Sequence, residues 1–134
     1  MPKRVSDRPP AYLGIDPGNS GAAAWVCGDL VETCTLAGTE RELWDWLSGL
    51  PTCPTFAVIE RVGGFVKGSG GNIGSAMFTF GLSAGLVRGF VIALKVPYEL
   101  VHPVKWQRYL GVAPKGKDEA KAAHKRRLKA RAEQ

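Results

Sequence analysis

Two carboxylates at the ends of apolar runs are the residues of this sequence best placed to do chemistry. Ala11-Tyr12-Leu13-Gly14-Ile15 leads into Asp16, with Pro17-Gly18-Asn19-Ser20-Gly21 directly after it, and Phe56-Ala57-Val58-Ile59 ends in Glu60, with Gly63 and Gly64 close behind. A strand covered on both faces reads as a nearly continuous apolar run. A carboxylate at the end of such a strand loses part of its water, so it must be paired or metal-bound to stay ionised. Mg²⁺ answers that need with a hard-oxygen octahedral shell that water and substrate phosphates complete. Taken singly, each acid also fits a plainer role, Asp16 as a turn former and Glu60 as a salt-bridged strand end.

The elements that must position these acids follow from periodicity and punctuation. Strands are expected over 12–16, 22–26 and 30–36, with Gly18 to Gly21 and Gly28-Asp29 as the turns, which makes an antiparallel meander. Thr39 is expected to cap a helix over 40–48, Glu42 completing a capping box and Leu43, Trp44 and Leu47 sharing a face, until Gly49 and Pro51 stop it. The strand over 56–60 returns after that helix, so a crossover lays it parallel to the first strand. Neighbouring strands lie about 4.8 Å apart. Acids at their like ends therefore reach a shared pair of metals spaced about 3.5–4 Å.

Gly14-Ile15-Asp16-Pro17-Gly18 with Gly21-Ala22-Ala23, then Ile59-Glu60, resembles the RuvC-type Holliday junction resolvases of the RNase H-like superfamily, in particular their phage-borne branch. Pro97-Tyr98-Glu99-Leu100-Val101-His102-Pro103-Val104-Lys105-Trp106 is similar to the family's strand that meets a proline and then a short helix with a Lys-Trp pair. The three motifs keep the family's order over roughly residues 11–120. The resemblance implies an α/β RNase H-like fold, a mixed sheet with a three-stranded antiparallel meander and parallel strands and with helices on both faces. It also implies a metal-dependent endonuclease that resolves four-way or other branched DNA junctions, acting as a homodimer in the cytoplasm of a bacterial host. Two Mg²⁺ or Mn²⁺ ions are expected, with Asp16 bridging them and Glu60 holding one, and Lys117 or Lys115 offsetting charge in the transition state. The family completes its site with further acids on a final helix, and this sequence stops before any such helix. Asp118 and Glu119 match the family's basic segment instead. The expected site is thus incomplete and its cleavage weak, and a non-catalytic junction-binding protein on the same fold is the alternative.

Composition is compatible with that reading. The 134 residues suit one compact domain, are 45% apolar, and hold three cysteines, Cys27, Cys34 and Cys53, without a CxxC pair, so reduced thiols are expected. The division expected is a flexible basic arm over 1–10 without a secretory signal, a nuclease domain over 11–114, and a basic helical segment over 115–134. That last segment holds eight Lys or Arg against three acids, while the whole chain is +6. Lys105, Lys115, Lys117, Lys121, Lys125 and Arg126 are the cations expected to neutralise DNA phosphates. The glycine-rich stretch 63–74 reads as a mobile loop beside Glu60, either a plain connector or a DNA-closing loop in which Arg61, Lys67 and Asn72 hold phosphates and Phe65 stacks on or wedges between bases.

The apolar run 75–94 has the length of a membrane span, yet Arg88 lies inside it and no basic flank or aromatic belt frames it. A buried helix is expected, its small face of Gly81, Ala84, Gly85 and Gly89 packing on a sheet or a partner helix, with no membrane involved. A nucleotide cofactor is not expected either. Actin-like and sugar-kinase folds also open with an acid followed by glycines, but they need a second phosphate loop and a second domain that 134 residues cannot supply.

Overall fold

The computed structural model of the chain describes residues 9–18, 20–61, 63 and 73–134. Phe65, Lys67 and Asn72, with most of the glycine-rich stretch and of the basic arm, lie outside the described residues. The chain divides into two compact units, 1–100 and 101–134.

The first unit is built on strands β1 (Ala11–Ile15), β2 (Ala22–Cys27), β3 (Leu30–Thr35), β4 (Phe56–Glu60) and most of β5 (Tyr98–Val101), ordered β3-β2-β1-β4-β5 in one sheet. Antiparallel pairing sets Leu13 opposite Trp25, and Val26 opposite Val31, which is the expected meander. Gly28, at φ 59°, supplies the left-handed residue of the two-residue turn joining β2 to β3. After the helix α1 (Glu40–Ser48), β4 returns parallel to β1, with Ile15 beside Ile59. The capping box forms as expected: the Thr39 backbone N–H donates to Glu42 Oε2 at 2.6 Å, and the Glu42 N–H donates to Thr39 Oγ1 at 3.2 Å. The Thr39 N–H, joined by the Thr39 hydroxyl, which donates to the same Oε2 at 2.9 Å, holds the Glu42 carboxyl below the usual carboxylate range.

Burial alternates along β1 and β4. Ala11, Leu13, Ile15, Ala57 and Ile59 are buried, whereas Tyr12 and Val58 on the opposite face are 52% and 37% exposed. Apolar outward residues, rather than cover on both faces, make these runs continuous. Trp25 is buried and its Nε1 donates to the Thr52 carbonyl at 3.0 Å, so its one polar atom is satisfied. Leu43 and Leu47 of α1 join this core, as do Val87 and Val91 of the helix α2 (Ile73–Ala93). The rings of Trp44 and Phe90 meet at 5.2 Å.

The expectation that this long helix is buried needs correction. Val87 and Val91 are buried, but Phe78, Leu82 and Ile92 are 72%, 58% and 58% exposed. Geometry explains the difference: 21 residues make a helix about 32 Å long, whereas the strands β1 and β4, of five residues each, run only about 17 Å. One stretch of the helix can lie on the sheet with a single face covered, so that Ile92 is exposed beside the buried Val91, and the rest overhangs the strands. Among the described residues α2 is also the one helix long and apolar enough to cross a membrane by length and composition.

The second unit holds α3 (Pro103–Tyr109) and α4 (Lys121–Ala132), neither of which buries a residue. The basic segment turns helical at Lys121, and Pro114 and Gly116 lie in the connection before it. Arg131 Nε donates to the Leu110 carbonyl at 2.7 Å and Arg127 Nη1 to the Ala113 carbonyl at 3.3 Å, so two arginines tie α4 to the segment behind α3.

Candidate active site

Asp16 is the first residue past β1, at the mouth of a tight turn. Its backbone N–H donates to the Ala22 carbonyl at 2.9 Å, its Oδ1 accepts from the Gly18 N–H at 3.2 Å, and the Gly21 N–H closes the turn on the Gly18 carbonyl at 2.8 Å. Only glycine fits position 21, since a Cβ there would run into the Asp16 carbonyl oxygen and lie 2.8 Å from that of Gly18. The turn leaves the Asp16 side chain exposed, so partial desolvation applies to Glu60, which is half-buried, and not to Asp16. Glu60 closes β4 one place after Ile59, the partner of Ile15. The two acids are therefore neighbours at the like ends of adjacent parallel strands.

A cleft of about 240 Å³ opens beside Glu60, lined by Pro17, Arg61, Ala84, Arg88 and Leu100 among others. Its floor is tied down where Ser83 Oγ of α2 donates to the Pro17 carbonyl at 2.9 Å. Arg88 is the one charged residue in α2. Its Nη2 donates to Tyr98 Oη at 3.4 Å, and its guanidinium carbon lies 5.9 Å from the centre of that ring, so β5 holds the cation beside the acid. In the sequence, Arg88 counts only against a membrane span. A lone cation in an otherwise apolar helix was the signal that it has a polar task.

Among the described residues no group of three or more His, Cys, Asp or Glu side chains is arranged to hold a metal ion. Two carboxylates still fit Mg²⁺, which is commonly bound through one or two carboxylates with water and substrate phosphates filling the shell. Glu119 is otherwise engaged. It accepts from Arg127 Nε and Nη2, both at 2.8 Å, and from the Gly116 N–H at 3.1 Å, with His124 at 3.8 Å. The Arg127 fork above all pulls its carboxyl down to about 2.

Arg61 lies in the cleft with Glu60. Lys105 is exposed on α3, Lys115 and Lys117 are exposed in the connection before α4, and Lys121, Lys125 and Arg126 are exposed on α4. The structure thus brings Asp16, Glu60, Arg61 and Arg88 to one end of the first unit, and the other candidate cations among the described residues belong to the second.

No family model matches the chain, and no curated protein does. Among solved structures it is similar to Thermus thermophilus RuvC in complex with a Holliday junction substrate, at 15% identity and a TM-score of 0.53, over 75% of this chain and 71% of that one. A second structure of Thermus thermophilus RuvC matches at 16% identity and a TM-score of 0.51, over 84% of this chain and 74% of that one. The chain has the RuvC-like fold of the RNase H type, on a mixed five-stranded sheet.

Proposed function

We propose that this chain is a structure-selective endonuclease acting on branched DNA, with four-way junctions as its substrate class. The observation that carries the reading is the parallel register of Ile15 and Ile59, which makes Asp16 and Glu60 neighbours at the carboxyl ends of adjacent strands. That the solved complex of similar fold holds a Holliday junction supports the choice of substrate.

Asp16 and Glu60 would hold Mg²⁺ or Mn²⁺, which when bound supplies Lewis-acid polarisation of a phosphodiester and a more acidic water. The residues of the chain do the rest. Arg88, steadied by Tyr98, and Arg61 present cations beside Glu60 where a phosphate of the scissile strand would sit. Lys115 and Lys117, with the α4 cations, neutralise flanking phosphates, and Lys117 is the candidate to offset charge at the reacting phosphate. A homodimer matches the substrate, because two opposed strands are cut symmetrically by two sites related by a two-fold axis.

A labelled four-way junction and a linear duplex of the same sequence, incubated with Ca²⁺ and then with Mg²⁺ or Mn²⁺, test this. Junction-selective binding with paired nicks is expected, and Asp16→Asn should slow nicking at least about 100-fold, since metal-borne stabilisation of a transition state amounts to several kcal/mol. Binding without selectivity for the junction would sink the proposal. One observation favours a second reading, a junction-binding protein without catalysis: the absence of a third metal-ligating side chain among the described residues. Selective binding with no nicks, in the native chain as in Asp16→Asn, is its signature.

A further inference from the structure

We infer that the cavity on α3 is a nucleotide-binding site that stacks one unpaired base on Tyr109 and holds the adjoining phosphate with Lys105 and Arg108. It deepens the branched-DNA reading, on which it rests, by naming where the chain would grip bases that a branch point leaves unstacked. The cavity measures about 470 Å³ and is lined by His102, Val104, Lys105, Arg108 and Tyr109. That volume is in the range of small-molecule sites and accommodates a single nucleotide.

The sequence builds this face by helical spacing. His102, Lys105 and Tyr109 fall at i, i+3 and i+7, with Arg108 three residues after Lys105, so they share one side of a helix. Pro103 starts the helix, and the His102 ring is oriented by the Val104 N–H, which donates to its Nδ1 at 3.4 Å. Tyr109 is 82% exposed. A single exposed aromatic is ordinary on a protein surface. Here, however, two cations and an imidazole share its cavity, and no carboxylate lines it.

The surroundings select an anion. The second unit carries ten Lys or Arg against three acids, a net charge of +7. A positive groove with an aromatic platform is the arrangement that binds single-stranded nucleic acid without sequence preference, since every base has a face to stack. An acidic peptide would satisfy the cations but would leave the tyrosine face with no planar partner.

The experiment uses the full chain and two labelled probes followed by fluorescence anisotropy: an oligothymidylate, and a strand of the same length whose sugars carry no base. The native chain should prefer the thymidylate. Tyr109→Ala should weaken thymidylate binding about 5- to 150-fold, the span of stacking one base on an aromatic side chain, and abolish the preference, while Tyr109→Phe retains it. Arg108→Ala should weaken both probes alike and lower the salt slope by roughly one phosphate contact. Equal binding of the two probes by the native chain, a preference that survives Tyr109→Ala, or equal competition by polyglutamate would each overturn the inference. Unchanged circular dichroism and an unchanged denaturant midpoint for Tyr109→Ala would show that the fold is intact. Nicking without base preference refutes this site alone, whereas base preference without junction selectivity refutes the function proposed above and leaves the site standing.

Discussion

Residues 1–100 and residues 101–134 are held together by different physics. The first unit contains the largest fully buried apolar side chains, Trp25, Leu13, Ile59, Val87 and Val91, and with nine acids against eight Lys or Arg it is nearly neutral, at −1. The second is +7, and neither of its helices buries a residue. A high net charge destabilises a compact state by self-repulsion, so the second unit gains most from an anionic partner and the first gains little. The candidate residues divide along the same line, with Asp16 and Glu60 on the apolar scaffold and most of the candidate phosphate contacts on the charged one.

The contrast can be broken most forcefully from the core. Trp25→Ala should cost about 3–5 kcal/mol, seen as a lower denaturant midpoint for the unfolding of the first unit, with junction nicking lost alongside it. Replacing Lys121, Lys125 and Arg126 together by alanine should leave that midpoint unchanged. It should instead reduce junction affinity and flatten its salt dependence by up to about three phosphate contacts, each with a slope near 0.9, measured by titrations at several salt concentrations. Thr39→Ala removes the cap of α1 and should lower stability by about 1 kcal/mol, with no effect on the salt slope.

The smallest expected effect concerns pH. Arg127 holds the Glu119 carboxyl at about 2, well below the ordinary range of a glutamate. A depressed carboxylate stabilises the fold at pH above its unfolded value, and this contribution is lost as pH falls toward the folded one. Helicity of the second unit, read by circular dichroism between pH 5 and pH 2, should therefore decline more in the native chain than in Glu119→Gln. An identical decline in both would show that the Arg127 fork does not hold α4.

What was legible in the sequence was whatever local chemistry decides. Thr39 and Glu42 with Gly49 fix both ends of α1, and the β-branched run ending in Glu60 fixes β4, so these bounds agree with the structure to the residue. The pairing of Asp16 with Glu60 followed from the crossover rule, which needs only element order. The exposure of α2 was not legible, because hydropathy is high all round that helix and composition does not say how much sheet lies beneath it. Arg88 escaped for the same reason, since its meaning depends on Tyr98 of β5, ten residues away in sequence. The open cavity on α3 was also hidden, because spacing alone does not show that its side chains border one depression.

The hydrogen bond from Ser83 to the Pro17 carbonyl fastens the middle of α2 to the turn that presents Asp16. Anything that settles on the overhanging apolar length of that helix therefore pulls on the same fastening. Slowing of amide exchange along α2 should be accompanied by slowing at Gly18 and Gly21, so that the acid's turn serves as a strain gauge for whatever the helix meets.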